Sequence, residues 1–253
     1  MAKETTSQAP APKTWSPPSD SHSDSPTTAT STTDATLYPS GSKSLAGISL
    51  RAFLLGTTLG LSLALTLALL AVPHYLWRLP FFLASLALFH FLEYYITAAH
   101  NTLVADVSAF LLSSNGWAYN LAHSSAALEC LFAYTFYPED SYFELTGPVA
   151  GVKLQVVLGL FLMGLGQTVR TLAMAQAGSN FNHTVQVERR EGHMLVTHGV
   201  YAVLRHPSYF GFFWWGIGTQ LVLGNVVCLL GYAVVLWRFF SSRIQSKFSY
   251  PTR

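Results

Sequence analysis

Charge is what this chain has least of: only 10% of its 253 residues are Asp, Glu, Lys or Arg, against 51% hydrophobic. An ordinary soluble domain carries about 25% charged residues, so this composition belongs in a membrane. Cysteine is almost absent as well. Cys130 and Cys228 sit inside apolar runs, where a thiol behaves as a small hydrophobe, and two cysteines exclude both a disulfide framework and a thiolate zinc site. A net charge of +2 is too small to argue for nucleic acid. Apolar runs are missing from the first 44 residues, of which 25 are Ser, Thr or Pro. Such a segment cannot bury enough surface to offset its ordering entropy, so residues 1–44 are expected to form a disordered tail. No short apolar core of a cleaved signal stands there, and the first apolar span is expected to act as the insertion signal.

What is present is a series of apolar segments, at residues 50–72, 79–99, 117–137, 149–175, 208–223 and 225–240. A bilayer crossing takes roughly 20 apolar residues, which most of these approach or exceed. Residues 102–112 are apolar but too short to cross, which suits a re-entrant or surface helix. Only Gly224 separates the last two segments, which therefore read as a helical hairpin. The expected fold is all-α, a polytopic membrane bundle of about six spans ending in that hairpin. Its parts are the tail at 1–44, transmembrane helices 1–4 over 45–176, and a cytosol-facing loop, hairpin and shortened C-terminus over 177–253. Lys43, Arg51, Arg189, Arg190, Arg205, Arg238, Arg243, Lys247 and Arg253 all fall on one side of a six-crossing chain, opposite the acidic loop of Glu139, Asp140 and Glu144. Basic residues collect on the cytosolic side, so both termini are expected to face the cytosol.

Polar residues inside spans face a bundle interior rather than lipid. His90 and Glu93 share one helix face, while Glu129 and Arg170 lie on other helices. Interhelical hydrogen bonding is the expected use. A dimetal site would require a second copy of the carboxylate and His pair, which the sequence lacks. Gly56 and Gly60, in GTTLG, have the spacing that lets two helices approach closely, and point to a homodimer through the first span.

Most of the polar chemistry is concentrated between residues 177 and 213. His183, His193, His198 and His206 are spaced by 10, 5 and 8, so no two share a helical turn and no metal centre is expected. The local signal is Arg205-His206-Pro207-Ser208-Tyr209. Proline disfavours helix at His206 and suits a first helical position, so a helix should begin at Pro207 with unpaired N–H groups from Ser208 onward. Such an end attracts an anion, and Arg205 adds a positive charge. An interfacial anchor, with Arg toward phosphates and Tyr among headgroups, is the competing reading.

From His90 to Arg243 the sequence resembles the isoprenylcysteine carboxyl methyltransferase family. The resemblance is carried by HFLEYYITAAHN at 90–101, WAYNLAHSSAALE at 117–129, RTLAMAQAGSNFNHTVQ at 170–186, HMLVTHGVYAVLRHPSYFGFFWWGIGTQ at 193–220 and LWRFFSSR at 236–243. It implies a multi-span endoplasmic reticulum membrane enzyme. Such an enzyme uses S-adenosyl-L-methionine to methylate the C-terminal prenylated cysteine of CaaX-processed proteins. The cofactor-binding positions it implies are Gln186, His193, Met194, Leu195, Val196, Tyr201, His206, Pro207, Ser208 and Tyr209. Arg243 would steer the substrate carboxylate, and Arg205 would assist electrostatically at the same pole.

A prenylcysteine carboxylate is already ionised at neutral pH, so no proton-abstracting base is needed. The site has only to align the carboxylate, strip its water and hold it with a cation. Aromatic residues of 117–137 and 208–223 are candidate walls for the prenyl chain. Beyond Arg243 the resemblance implies a Glu-rich helix, with an acidic cofactor contact four residues on. The chain has Lys247 at that position, a charge of the opposite sign, and low or absent activity is expected of this chain on that account. Two alternatives remain at this stage: a catalytically inactive truncated membrane protein, and a sterol-reductase-like membrane enzyme sharing the RHPxY core.

Overall fold

A computed structural model describes residues 34–72, 74–137, 153–183 and 194–248, the side chains of 245–248 excepted. Among these residues every regular element is a helix or a 3-10 turn. Of the expected tail, residues 1–33 lie outside them, as do the acidic loop, Arg189 and Arg190. Residues 34–44 are ordered instead, with a 3-10 turn at Ala35–Leu37, the Val107 N–H donating to the Ser42 carbonyl and Ser44 buried. The helices are α1 (Leu45–Ala71), α2 (Arg78–His100), α3 (Trp117–Phe136), α4 (Leu154–Ala177), α5 (Pro207–Leu223) and α6 (Val227–Phe248).

Local chemistry sets several of these boundaries. Ser44 caps α1 by accepting from the Gly47 N–H at 3.0 Å, satisfying one of the donors a helix start leaves open. Residues 102–112 form two 3-10 turns, Thr102–Val104 and Val107–Phe110, rather than one short helix. Asp106 interrupts them, because its carboxylate accepts from the N–H groups of Ser108 and Ala109. Gly224 ends α5 at φ +74°, a left-handed conformation glycine adopts without strain, and the chain turns directly into α6. The hairpin expected from the sequence is present. Glu129 of α3 secures its far side, accepting from the N–H groups of Val226, Val227 and Cys228 at 2.7–2.8 Å.

Among the described residues four helical stretches are long and apolar enough to cross a membrane: Leu45–Ala71, Tyr75–His100, Leu154–Asn180 and Val227–Ile244. The expected count of six is not reached on these criteria. At 17 residues α5 is short of the roughly 20 a crossing takes. Length is not the limit for α3, which carries Asn120, His123, Ser124, Ser125 and Glu129 instead.

Helix α5 is the axis of the bundle, with 12 of its 17 residues buried. Against it lies α4, at a separation only glycine permits. A Cβ on Gly166 would stand 2.5 Å from the Gly211 carbonyl oxygen, and one on Gly159 would stand 2.8 Å from that of Gly218. The pairs 159 with 218 and 166 with 211 define an antiparallel register. One turn further in that register Arg170 comes level with Ser208. Aromatic packing fills the remaining space: Phe89, Met163, Trp215 and Val222 form one buried cluster, and Phe82, Ile217, Leu221 and Tyr232 belong to another.

Candidate active site

The site lies where α4 ends and α5 begins. As the sequence predicts, Pro207 is the first residue of α5 and His206 its cap, non-helical at φ −133°, ψ 61°. The donor set is narrower than expected, however. The N–H groups of Tyr209 and Phe210 both turn back to the His206 carbonyl, at 3.1 and 3.0 Å, and are not open to a ligand.

Beneath this helix start is a buried charge network. Arg170 donates through Nη1 to Ser208 Oγ at 2.9 Å and through Nη2 to Glu93 Oε2 at 2.7 Å, and its Nε pairs with Glu93 Oε1. Phe89 and Phe212 flank the guanidinium, each ring centroid 5.4 Å away. Glu93 is 1% exposed and Arg170 8%. Charges so deeply buried persist only when paired and hydrogen-bonded. The interhelical role expected of these two residues is therefore seen, and it is directed at the start of α5. His183 joins the network: Thr97 Oγ1 is 3.2 Å from its Nε2, and Glu93 Oε2 is 3.6 Å from its Nδ1. Burial pushes its pKa below the usual imidazole value, with Glu93 opposing that shift. His90 points elsewhere, to the Phe110 carbonyl and the Tyr119 hydroxyl.

The segment entering α5 is clamped to the end of α4. Asn180 Oδ1 accepts from the Met194 N–H at 3.1 Å, Gln176 Oε1 accepts from the Val200 N–H at 2.8 Å, and the Tyr201 hydroxyl donates to the Ala173 carbonyl at 3.2 Å. Gly199, at φ +59°, makes the turn this demands. Burial raises the pKa of the Tyr201 phenol. Met194 and Leu195 keep their side chains outside, 72% and 86% exposed, and it is the Met194 backbone N–H that meets Asn180. Val196 is half-buried.

Across the hairpin, His206 stacks on Tyr209 at 5.8 Å and Tyr209 on Phe240 at 4.7 Å. One turn beyond Phe240, Arg243 is half-buried, with its guanidinium 4.3 Å from the Phe239 centroid. Tyr209, His206 and the Arg243 turn of α6 thus share one end of the hairpin. Arg205 at the same end is exposed. Gln186 and His193 lie outside the described residues, as does the Lys247 side chain. Sequence reasoning left Gln176, Asn180 and Phe240 out of the site and treated Glu93 and Arg170 as bundle residues. An arginine inside an apolar span was the available signal.

An all-helical membrane protein with a basic, aromatic pole fed from the end of a buried helix is the class these features define. The profile of the isoprenylcysteine carboxyl methyltransferase family matches residues 157–249. The chain is 48% identical over 169 residues to protein-S-isoprenylcysteine O-methyltransferase of Saccharomyces cerevisiae, covering 67% of this chain and 69% of that protein. With the Homo sapiens enzyme of the same name it shares 38% identity over 200 residues, covering 79% and 66%. A solved structure of the eukaryotic intramembrane Ras methyltransferase ICMT superposes with a TM-score of 0.68 at 35% identity, covering 78% of this chain and 66% of that one. This chain belongs to the isoprenylcysteine carboxyl methyltransferase family. It spans about two thirds of the length of these relatives. The family match continues past Arg243 to residue 249, and α6 continues to Phe248, so neither helix nor resemblance stops at that arginine.

Proposed function

We propose that this protein transfers the methyl group of S-adenosyl-L-methionine to the C-terminal carboxylate of a prenylated cysteine on CaaX-processed proteins. The observation that carries the reading is the pole itself. A buried Glu93–Arg170 pair fixes the start of α5, the Tyr209–Phe240 stack flanks it, and Arg243 stands at the same end of α6, all within an apolar bundle.

The residues present fit the cofactor. Tyr209 and Tyr201 offer ring faces suited to a sulfonium, and the basic start of α5 suits an amino-acid carboxylate. The Met194–Val196 backbone, held by Asn180, suits an adenine edge; Gln186 and His193, assigned to the cofactor by the family resemblance, lie outside the described residues. S-adenosyl-L-methionine supplies an electrophilic methyl group on a positively charged sulfur. With it bound, the prenylcysteine carboxylate would take up the methyl group while the sulfur kept the S–CH3 electron pair, so the two charges would cancel and no residue need move a proton. Arg243 holds that carboxylate, and Arg205 adds positive potential at the entrance. Aromatic residues of α3 and α5 receive the prenyl chain from the bilayer.

In this reading all six helices cross or line the endoplasmic reticulum membrane, with Lys43, Arg51, Arg205, Arg238 and Arg243 on the cytosolic side. The test uses membranes from cells expressing the chain, supplied with methyl-labelled S-adenosyl-L-methionine and a farnesylated cysteine. Base-labile methyl ester is expected, reduced at least about 100-fold by Arg243→Ala. Absence of ester from the native chain and from Lys247→Glu alike would overturn the proposal. A higher yield from Lys247→Glu than from the native chain is the expected mark of an unfavourable charge near the sulfonium.

A further inference from the structure

Away from the pole, α2, α3 and α6 meet in a polar seam. The His90 ring donates through Nδ1 to the Phe110 carbonyl at 2.8 Å, which leaves Nε2 to accept from the Tyr119 hydroxyl at 3.1 Å. The Tyr119 carbonyl in turn accepts from His123 Nδ1 at 2.8 Å. A carbonyl can only accept, so His123 carries its proton on Nδ1 and presents a lone pair at Nε2. That atom is buried and has no hydrogen-bond partner among the described residues. Next to it stands Tyr232 of α6, 7% exposed, whose hydroxyl is also buried without a partner. The two rings lie edge to face, 5.8 Å between centroids at 62°.

An unfilled acceptor and an unfilled donor carried by two neighbouring rings are complementary, and each alone is costly to bury. Their hydroxyl and ring nitrogen make no direct hydrogen bond. The walls are aromatic: Phe82 stacks on His123 at 5.9 Å and Trp215 lies 6.4 Å away. We propose that one water molecule is bound between His123 and Tyr232, donating to Nε2 and accepting from the phenol. With it hydrogen bonds link Phe110, His90, Tyr119, His123 and Tyr232 residue to residue, Tyr119 using its hydroxyl toward His90 and its backbone carbonyl toward His123. That ties α2, α3 and α6 together inside an otherwise aromatic core. Two polar partners are enough to hold a buried water.

Removing one oxygen tests this by sign. If the phenol has no partner, Tyr232→Phe removes an unsatisfied group, and the purified full chain melts at the same or a higher temperature. If a water bridges, Tyr232→Phe strands it, and Tm falls by roughly 2–4 °C. His123→Asn keeps a donor for the Tyr119 carbonyl and deletes Nε2. Combined with Tyr232→Phe it should cost less than the two single losses added together. In histidine-labelled protein, the His123 Nε2 resonance should move in Tyr232→Phe. A Tm that does not fall, additive losses, or an unmoved resonance would each overturn the bound water.

Discussion

On α1, Gly56 and Gly60 have the spacing of a close helix contact, and a Cβ at either would meet nothing within 4 Å. On α4, Gly159 and Gly166 have a less familiar spacing, and a Cβ at either would collide with the backbone of α5. The difference lies in the partner. Gly211 and Gly218 on α5 repeat the same seven-residue interval in antiparallel order, so two turns of each helix present bare backbone to one another. Nothing among the described residues lies against Gly56 or Gly60. Only 3 of the 27 residues of α1 are buried, and its outward face suits lipid. Spacing within one helix identifies a surface that could be approached. A matched interval on a second helix identifies the surface that is.

The contrast is broken most severely at Gly166. Gly166→Leu places a side chain where the Trp215 nitrogen stands 2.5 Å from a mere Cβ, and both neighbouring atoms are backbone that cannot swing aside. Helices α4 and α5 must separate, with a loss of more than about 3 kcal/mol from overpacking and lost contact. Little monodisperse protein should survive size-exclusion chromatography. Recovery of a native-like peak would mean that the close approach is not required.

Next in size is the network one turn along the same contact. Glu93→Gln leaves the Arg170 guanidinium buried without its countercharge, at a cost of about 3–5 kcal/mol. A thermal melt should register this as a large drop in Tm. Glu93→Leu combined with Arg170→Met should recover most of it, since a buried pair replaced by apolar residues is often neutral. Methyl transfer should stay lost in the double variant, because Ser208 would no longer be held. Restored stability with restored activity would show that the pair does not position α5.

How legible these features were depends on how far apart their partners lie. Pro207 and Gly224 act on their own neighbours, so the start of α5 and the hairpin could be read directly from residue chemistry. Arg170 and Glu93 are 77 residues apart. Their polarity inside apolar segments was visible, but not which atoms they would meet, because that follows from the α4–α5 register. The open N–H groups expected from Ser208 onward were a local inference that the structure narrows at Tyr209 and Phe210. The His206 carbonyl accepts both, closing the first turn more tightly than the proline rule describes. Six spans were expected because apolar length alone was read. Helix α5 is apolar for a different reason, being the buried axis of the bundle.

The smallest effect sharpens the comparison from the other side. Gly60→Leu adds a large side chain to α1 at a position with open space around it. An outward apolar face of this kind suits lipid, so the added leucine is expected to meet lipid tails rather than backbone. It also replaces glycine with a better helix former, worth roughly 0.5–1 kcal/mol in a helix interior. Tm should therefore stay level or rise slightly, and methyl transfer in membranes should be unchanged. Chemical cross-linking separates the remaining use of this surface. Two copies paired through Gly56 and Gly60 need backbone approach, which a leucine prevents. Loss of a cross-linked dimer in Gly60→Leu, with Tm intact, would show that α1 finds in a second copy the partner that α4 finds in α5. A cross-link that survives the substitution would leave its glycines as lipid-facing residues whose spacing arose without a contact to serve.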